Sequence, residues 1–186
     1  GVLRNVPFGA IYADPPWPTL NRRRQLGNGT HYNLMGAREI VELPVAALAA
    51  DDAVLFLWVT WPNLPLSMEV VSSWGFRYIS GCPWVKIASN GNPWLGLGRW
   101  FRECSELLIV AIRGHVRPPK VVRKGIILEG RGKISRKPGE VQQWIEGGFG
   151  GPYLELFARR RRPGWTCWGN ELSEQEMTNA KIKTRT

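Results

Sequence analysis

Cysteine, histidine and long apolar runs are all scarce in this sequence, and each shortage removes a class of protein. Cys82, Cys104 and Cys167 are the three cysteines, an odd number with no CxxC pair. They build no disulfide framework and fit a reducing cytosol. His31 and His115, the two histidines, cannot be drawn into zinc-ligand spacing, so no metal is expected. No apolar run approaches the roughly 18 residues of a membrane span, and the start of the chain has no signal-peptide pattern. Acidic residues are outnumbered, 15 against 25 lysines and arginines, for a net charge of +10. A domain this basic is expected to meet a polyanion. Nucleic acid is the first candidate, an anionic membrane surface the second, and a merely solubilising surface the plain alternative.

What remains is enough for a core. The 186 residues are 44% hydrophobic and include ten tryptophans, which supply buried area and flat stacking surfaces. One domain is expected over residues 1–171, followed by a polar tail at 172–186. Val6 to Ala13 reads as a buried strand, ended by Pro15 and Pro16. Residues 18–36 read as a polar, basic loop. Residues 37–50 look helical, with a break or new start at Pro44. The run from Ala53 to Val59 suits a strand covered on both faces. Leu64 to Trp74 has helical spacing and stops at Gly75. One or two strands are expected in Phe76–Ile87, a loop at 88–102 and a buried strand at Glu106–Ile112. Basic, irregular chain follows at 113–136, with candidate strand pieces at Val121–Val122 and Ile126–Leu128. A short helix over Pro138–Glu146 and strands at Tyr153–Ala158 and Trp165–Trp168 complete the walk. Strands alternating with helices predict an α/β sandwich with a mostly parallel sheet. Gly96-Leu97-Gly98 is no dinucleotide fingerprint, since no strand leads into it and no spaced third glycine follows.

The chemical signal is Asp14-Pro15-Pro16-Trp17, directly after a strand. Ligands of open α/β sheets bind at the carboxyl ends of strands. The exocyclic amine of adenine is a poor nucleophile, because its lone pair is delocalised into the ring. A carboxylate and a backbone carbonyl can each accept one of its N–H bonds and draw the nitrogen toward tetrahedral geometry. Prolines fix the carbonyl's direction, and an aromatic ring can stack on the base. The plain alternative is a strand-ending turn, which Asp-Pro often makes.

This string resembles the signature of the MT-A70 family of adenine N6-methyltransferases, especially its compact phage and bacterial branch acting on DNA. Phe56-Leu57-Trp58-Val59-Thr60, Trp84-Val85-Lys86 and Ser135-Arg136-Lys137-Pro138-Gly139-Glu140 follow in the family's order. So do Glu155-Leu156-Phe157-Ala158-Arg159, Pro163-Gly164-Trp165 and Trp168-Gly169-Asn170-Glu171. The resemblance covers about residues 9–171 and implies a Rossmann-like class I methyltransferase sandwich using S-adenosyl-L-methionine. By the same resemblance, Lys137 pairs with the cofactor's methionine carboxylate, and Glu155, Phe157, Arg159, Asn170 and Glu171 line its ribose and adenine side. Tyr32 matches an aromatic near the target base. Lys137 before a helix start also favours an anion on elementary grounds, and a carboxylate such as Glu155 suits ribose hydroxyls. Plain alternatives are a solvated surface lysine and a loop tyrosine packed on the core. The family's acidic motif upstream of the catalytic loop is not readable here, and Arg159-Arg160-Arg161-Arg162 is more basic than some relatives at this point.

Arg22, Arg23 and Arg24, beside the catalytic string, are expected to contact phosphates, as is the basic run from Arg113 to Arg136 flanking the same end. A duplex substrate requires the adenine to be flipped out. DNA is favoured over RNA. The competing class is a binding module, a degenerate methyltransferase fold that holds nucleic acid or a partner. Such subunits lose the catalytic string, which is entire here. Oligomeric state is not readable.

Overall fold

The computed structural model describes residues 7–18, 35–130, 137–170 and 172. Seven strands form one sheet: β1 (Phe8–Ala13), β2 (Ala49–Val59), β3 (Arg77–Ile87), β4 (Ser105–Arg113), β5 (Ile127–Gly130), β6 (Tyr153–Leu156) and β7 (Trp165–Trp168). Their order is β5-β3-β4-β2-β1-β6-β7. Only β4 pairs antiparallel, with β2 and β3; every other ladder is parallel. The fold is thus the expected Rossmann-like α/β sandwich, with one reversed strand inside it.

Both faces of the central strands are covered. Alternation along β2 sends Leu55, Leu57 and Val59 to one side and Val54, Phe56 and Trp58 to the other. The first side packs against Ile40 of α1 (Ala37–Val41) and Val70 and Val71 of α2 (Leu64–Ser73). Trp74 closes that layer, its indole N–H donating to the Ile40 carbonyl at 3.0 Å. The second side packs against Val141 and Ile145 of α3 (Gly139–Gly148). Gly75, at φ +81°, reverses the chain after α2 as the sequence predicts.

Several boundaries differ. Helix α1 stops at Val41, because Pro44 offers no N–H to continue it. A single 3₁₀ turn follows over Val45–Ala47, and β2 already begins at Ala49, which pairs with Phe8. Phe76–Ile87 contributes one long strand. Val121 and Val122 are exposed and outside any strand. Strand β6 ends at Leu156, since Phe157 turns left-handed at φ +62°. Among the described residues no helix is long and apolar enough to cross a membrane.

Candidate active site

Six strands point their carboxyl ends to one edge of the sheet, and the reversed β4 starts there. That edge therefore gathers Asp14 after β1, Trp58 near the end of β2, Lys86 near the end of β3 and Glu106 at the start of β4. Lys137, just ahead of α3, reaches into the same group. Its Nζ lies 2.9 Å from Asp14 Oδ1 and 2.8 Å from Glu106 Oε2. Glu106 Oε1 is 2.6 Å from Lys86 Nζ. The charges alternate Lys86, Glu106, Lys137, Asp14, and the last three side chains are only 13–18% exposed. Two indoles wall the group: Lys137 Nζ is 5.7 Å from the Trp58 ring and Lys86 Nζ 5.1 Å from the Trp84 ring.

The electrostatics follow from this packing. Burial pushes the Asp14 carboxyl above its usual range, more than the Lys137 ammonium pulls it down. Burial also opposes ionisation of Glu106, but Lys137 and Lys86 together hold it below the usual range. For Lys137, burial alone would favour the neutral amine; the Asp14 and Glu106 carboxylates outweigh it and raise the ammonium's pKa.

The loop itself is pinned. Pro15 is buried, and the Trp17 N–H donates to the Pro15 carbonyl at 2.8 Å. The Trp17 ring is buried in the cluster on the α1–α2 side, and its Nε1–H donates to the Trp58 carbonyl at 2.8 Å. Trp58 Nε1–H in turn donates to Tyr12 Oη at 2.7 Å. The Trp17 ring, expected from the sequence to stack on a base, is 8% exposed and is tied to β2 by its indole bond to the Trp58 carbonyl.

On the β6–β7 side, Glu155 is half-buried and accepts from Gln142 Nε2 of α3 at 2.8 Å. Burial raises its pKa, with Gln142 and Arg162 opposing. Phe157 holds its left-handed backbone with its ring edge-on to Trp168, 5.7 Å between centroids. An aromatic in that conformation is uncommon and clusters at functional positions. Arg159 and Asn170 are exposed, and the Arg159 charge acts on Asp14. Gly169 allows this close approach of β7 to the chain after β6: a Cβ there would collide with backbone atoms of Ala158. Tyr32, Arg22, Arg23, Arg24 and Glu171 lie outside the described residues.

Two features were not legible beforehand. Glu106 and Lys86 were not singled out, although Lys86 stood inside a quoted motif; the signal was a charge at the mouth of an apolar run. The basic run from Arg113 to Arg136 was placed at the active edge, but β4 runs the other way, so Arg113 at its end lies at the opposite edge and donates to the Ala46 carbonyl at 2.6 Å. Arg123 pairs with Glu140 in the first turn of α3 at 3.0 Å, and Arg131, Lys133 and Arg136 lie outside the described residues. Among the described residues no three His, Cys, Asp or Glu side chains gather as metal ligands.

An open, mostly parallel α/β sheet with an acid–proline loop at its carboxyl edge is the architecture of a Rossmann-like methyltransferase. The MT-A70 family profile matches residues 8–171, and the chain belongs to that family. It is 28% identical to the type II methyltransferase M.MunI from a Mycoplasma species, over 94% of this chain and 82% of that protein. It is 32% identical to the N6-methyladenosine RNA methyltransferase MTA1 of Cryphonectria parasitica, over 89% of this chain and 52% of that one. The mouse N(6)-adenine-specific methyltransferase METTL4 is 31% identical over 89% of this chain, which spans 37% of its length.

Proposed function

We propose that this protein transfers a methyl group from S-adenosyl-L-methionine to the N6 amine of adenine in DNA. The observation that carries the reading is Asp14, held by Lys137 through Oδ1 at the carboxyl edge of β1, with Pro15 and Pro16 fixed behind it. Oδ2 is the oxygen we assign to the adenine amine, and the carbonyl after Pro15 or Pro16 takes its other N–H. The cofactor supplies an electrophilic methyl on a sulfonium. Nitrogen forms its bond to that carbon as the carbon–sulfur bond breaks, and the proton lost from nitrogen passes to Asp14. A carboxyl whose pKa burial has raised is a better acceptor for that proton than an ordinary one.

The donor set fits the cofactor. Lys137, one residue before the Pro138 cap of α3, offers a cation to the methionine carboxylate, shared with Asp14 and Glu106. Glu155 offers acceptors for ribose hydroxyls, Phe157 a ring for adenine, and Arg159, Asn170 and Glu171 the rest of that side. Tyr32 lies beside the target base in this reading. Arg22, Arg23 and Arg24 hold phosphates. The relative named as a type II methyltransferase, matched over most of its length, supports DNA and a bacterial cytoplasm. RNA is the second reading, favoured by the relatives named as RNA methyltransferases. A non-catalytic binding subunit is disfavoured by the intact Asp14 string.

The test is transfer of a labelled methyl group to DNA and RNA oligonucleotides, with nucleoside analysis of the product. N6-methyladenine from DNA, lost by at least about 10²-fold in Asp14→Ala, is expected. A methyl group on another atom, or near-normal turnover in the variant, would overturn the assignment.

A further inference from the structure

The chain between β3 and β4 forms an arm at the active edge, and its tip is the most exposed apolar surface among the described residues. Trp100 is 94% exposed and Phe101 87%, with Leu95 and Leu97 exposed beside them. Arg99 and Arg102 bracket the two rings in sequence. Free exposure of two large aromatic rings costs solvation energy and marks a surface meant to be covered.

The arm is built rather than slack. Gly91, at φ +80°, turns the chain so that the Trp94 N–H donates to the Lys86 carbonyl at 2.7 Å. The Lys86 N–H donates to the Cys104 carbonyl at 2.8 Å. Further out, Gly96 N–H donates to the Glu103 carbonyl at 3.0 Å and Glu103 N–H to that of Leu97 at 3.3 Å. Gly96 and Gly98 are required by this turn: a Cβ on the first would strike the Glu103 carbonyl, and on the second the Phe101 carbonyl. The root of the arm is Lys86 itself, whose side chain joins Glu106 and through it Lys137 and Asp14. Trp61, also exposed, donates to Ser105 Oγ at the same root. The rings are thus projected from the rim of the candidate active site.

We propose that Trp100 and Phe101 are a stacking wedge for duplex DNA, entering the base stack beside the adenine that leaves it. This rests on the reading of the protein as a DNA adenine methyltransferase. A flipped base leaves a gap whose two faces are flat and apolar, and aromatic side chains fill such gaps while flanking cations hold the backbone. The charge of the chain favours a polyanion over another copy of itself, because two +10 molecules repel.

The test is binding of a labelled, adenine-containing mixed-sequence duplex across a salt series, without cofactor. Replacing both rings with alanine should weaken binding at least tenfold and leave the salt slope unchanged, since stacking releases no counterions. Arg99→Ala with Arg102→Ala should instead flatten the slope by up to about 1.8. Trp100→Tyr with Phe101→Tyr keeps flat rings and should retain most affinity. An unaltered thermal melt confirms that the variants fold. Unchanged duplex affinity in the alanine variant overturns the proposal. So does a wild-type dimer in sedimentation that the alanine variant loses, because the rings would then cover another protein copy. Failure to methylate any nucleic acid would sink the parent reading, while this binding series would still report on the arm.

Discussion

Replacing Lys137 with methionine isolates the electrostatic unit at the active edge. The stem over Trp58 survives, but the ammonium that Asp14 and Glu106 share is gone. Removing one partner of a buried ion pair costs about 3–5 kcal/mol, because the other charge is left without compensation. Side chains here are 13–18% exposed and Glu106 keeps Lys86, so the lower end, about 3 kcal/mol, is expected at neutral pH. The pH dependence carries the sharper content. In the wild type the Glu106 pKa is lowered, so its contribution is full above the ordinary carboxylate range and is lost as pH falls through the lowered value. Lys137, with a raised pKa, contributes fully below the ordinary lysine value and loses it as pH rises through the raised one. Asp14, raised by burial, has the opposite sign from Glu106: acid relieves its cost. Without Lys137 the Asp14 cost deepens and Glu106 loses its stronger cation, so acidification through the carboxylate range should relieve the variant. The gap between the two proteins should therefore narrow as pH falls. Denaturant unfolding at a series of pH values measures it. A variant within about 1 kcal/mol of wild type at neutral pH, or a gap that widens in acid, would refute the reasoning. Cofactor titration on the same samples should show binding weakened by about 1.5–3 kcal/mol, the worth of a charge-assisted hydrogen bond.

Phe157→Gly relieves a left-handed backbone worth about 1–3 kcal/mol of strain and forfeits a ring contact of about 0.5–1.5 kcal/mol. Thermal stability should hold or rise while calorimetric cofactor affinity falls; unchanged affinity would remove Phe157 from the site. Gly169→Ala drives a Cβ into Ala158 backbone and should lower stability by about 2 kcal/mol or more on unfolding. Arg22, Arg23 and Arg24 changed together to alanine should flatten the salt slope of duplex binding by up to about 2.7 and weaken all sequences alike. An unchanged slope would take phosphate contact away from these arginines.

What could be read from sequence was whatever a local pattern determines. The run Ala53–Val59 suited a strand covered on both faces, and the two prolines after Asp14 marked the end of the strand before it. Direction and partnership were not local. Nothing in Glu106–Ile112 says that it runs against its neighbours, yet that reversal puts Glu106 beside Lys137 and takes Arg113 to the far edge. Trp17 invited a functional reading because an aromatic ring in that string can stack on a base. The bond from its indole N–H to the Trp58 carbonyl, 41 residues away, was not legible, because only β1 beside β2 creates that pairing. The tail of helix 37–50 was lost to the same cause, since Ala49 and Ala50 follow a strand partner rather than their own propensity.

The two carboxylates that touch Lys137 are driven in opposite directions, and under the proposed function that separation divides their work. Glu106 lies between two ammonium groups, so it stays an anion across the whole working range of pH. Asp14 touches one ammonium, also feels the repulsion of Glu106, and is the more strongly affected by burial. Where an active site pushes a pair of acids apart in this way, the lowered one holds charge in place and the raised one handles protons. Glu106 thus fixes Lys137, and Lys137 fixes Asp14 by one oxygen and keeps its basicity moderate. In the proposed reaction the adenine amine meets, at Asp14, a carboxyl whose raised pKa suits it to take the proton once nitrogen has gained a methyl group. Glu106→Gln should therefore act through this chain: Lys137 turns more fully to Asp14, the Asp14 pKa falls, and the acid limb of the rate profile moves to lower pH. A limb that stays where it was would mean that Glu106 only packs beside the lysine.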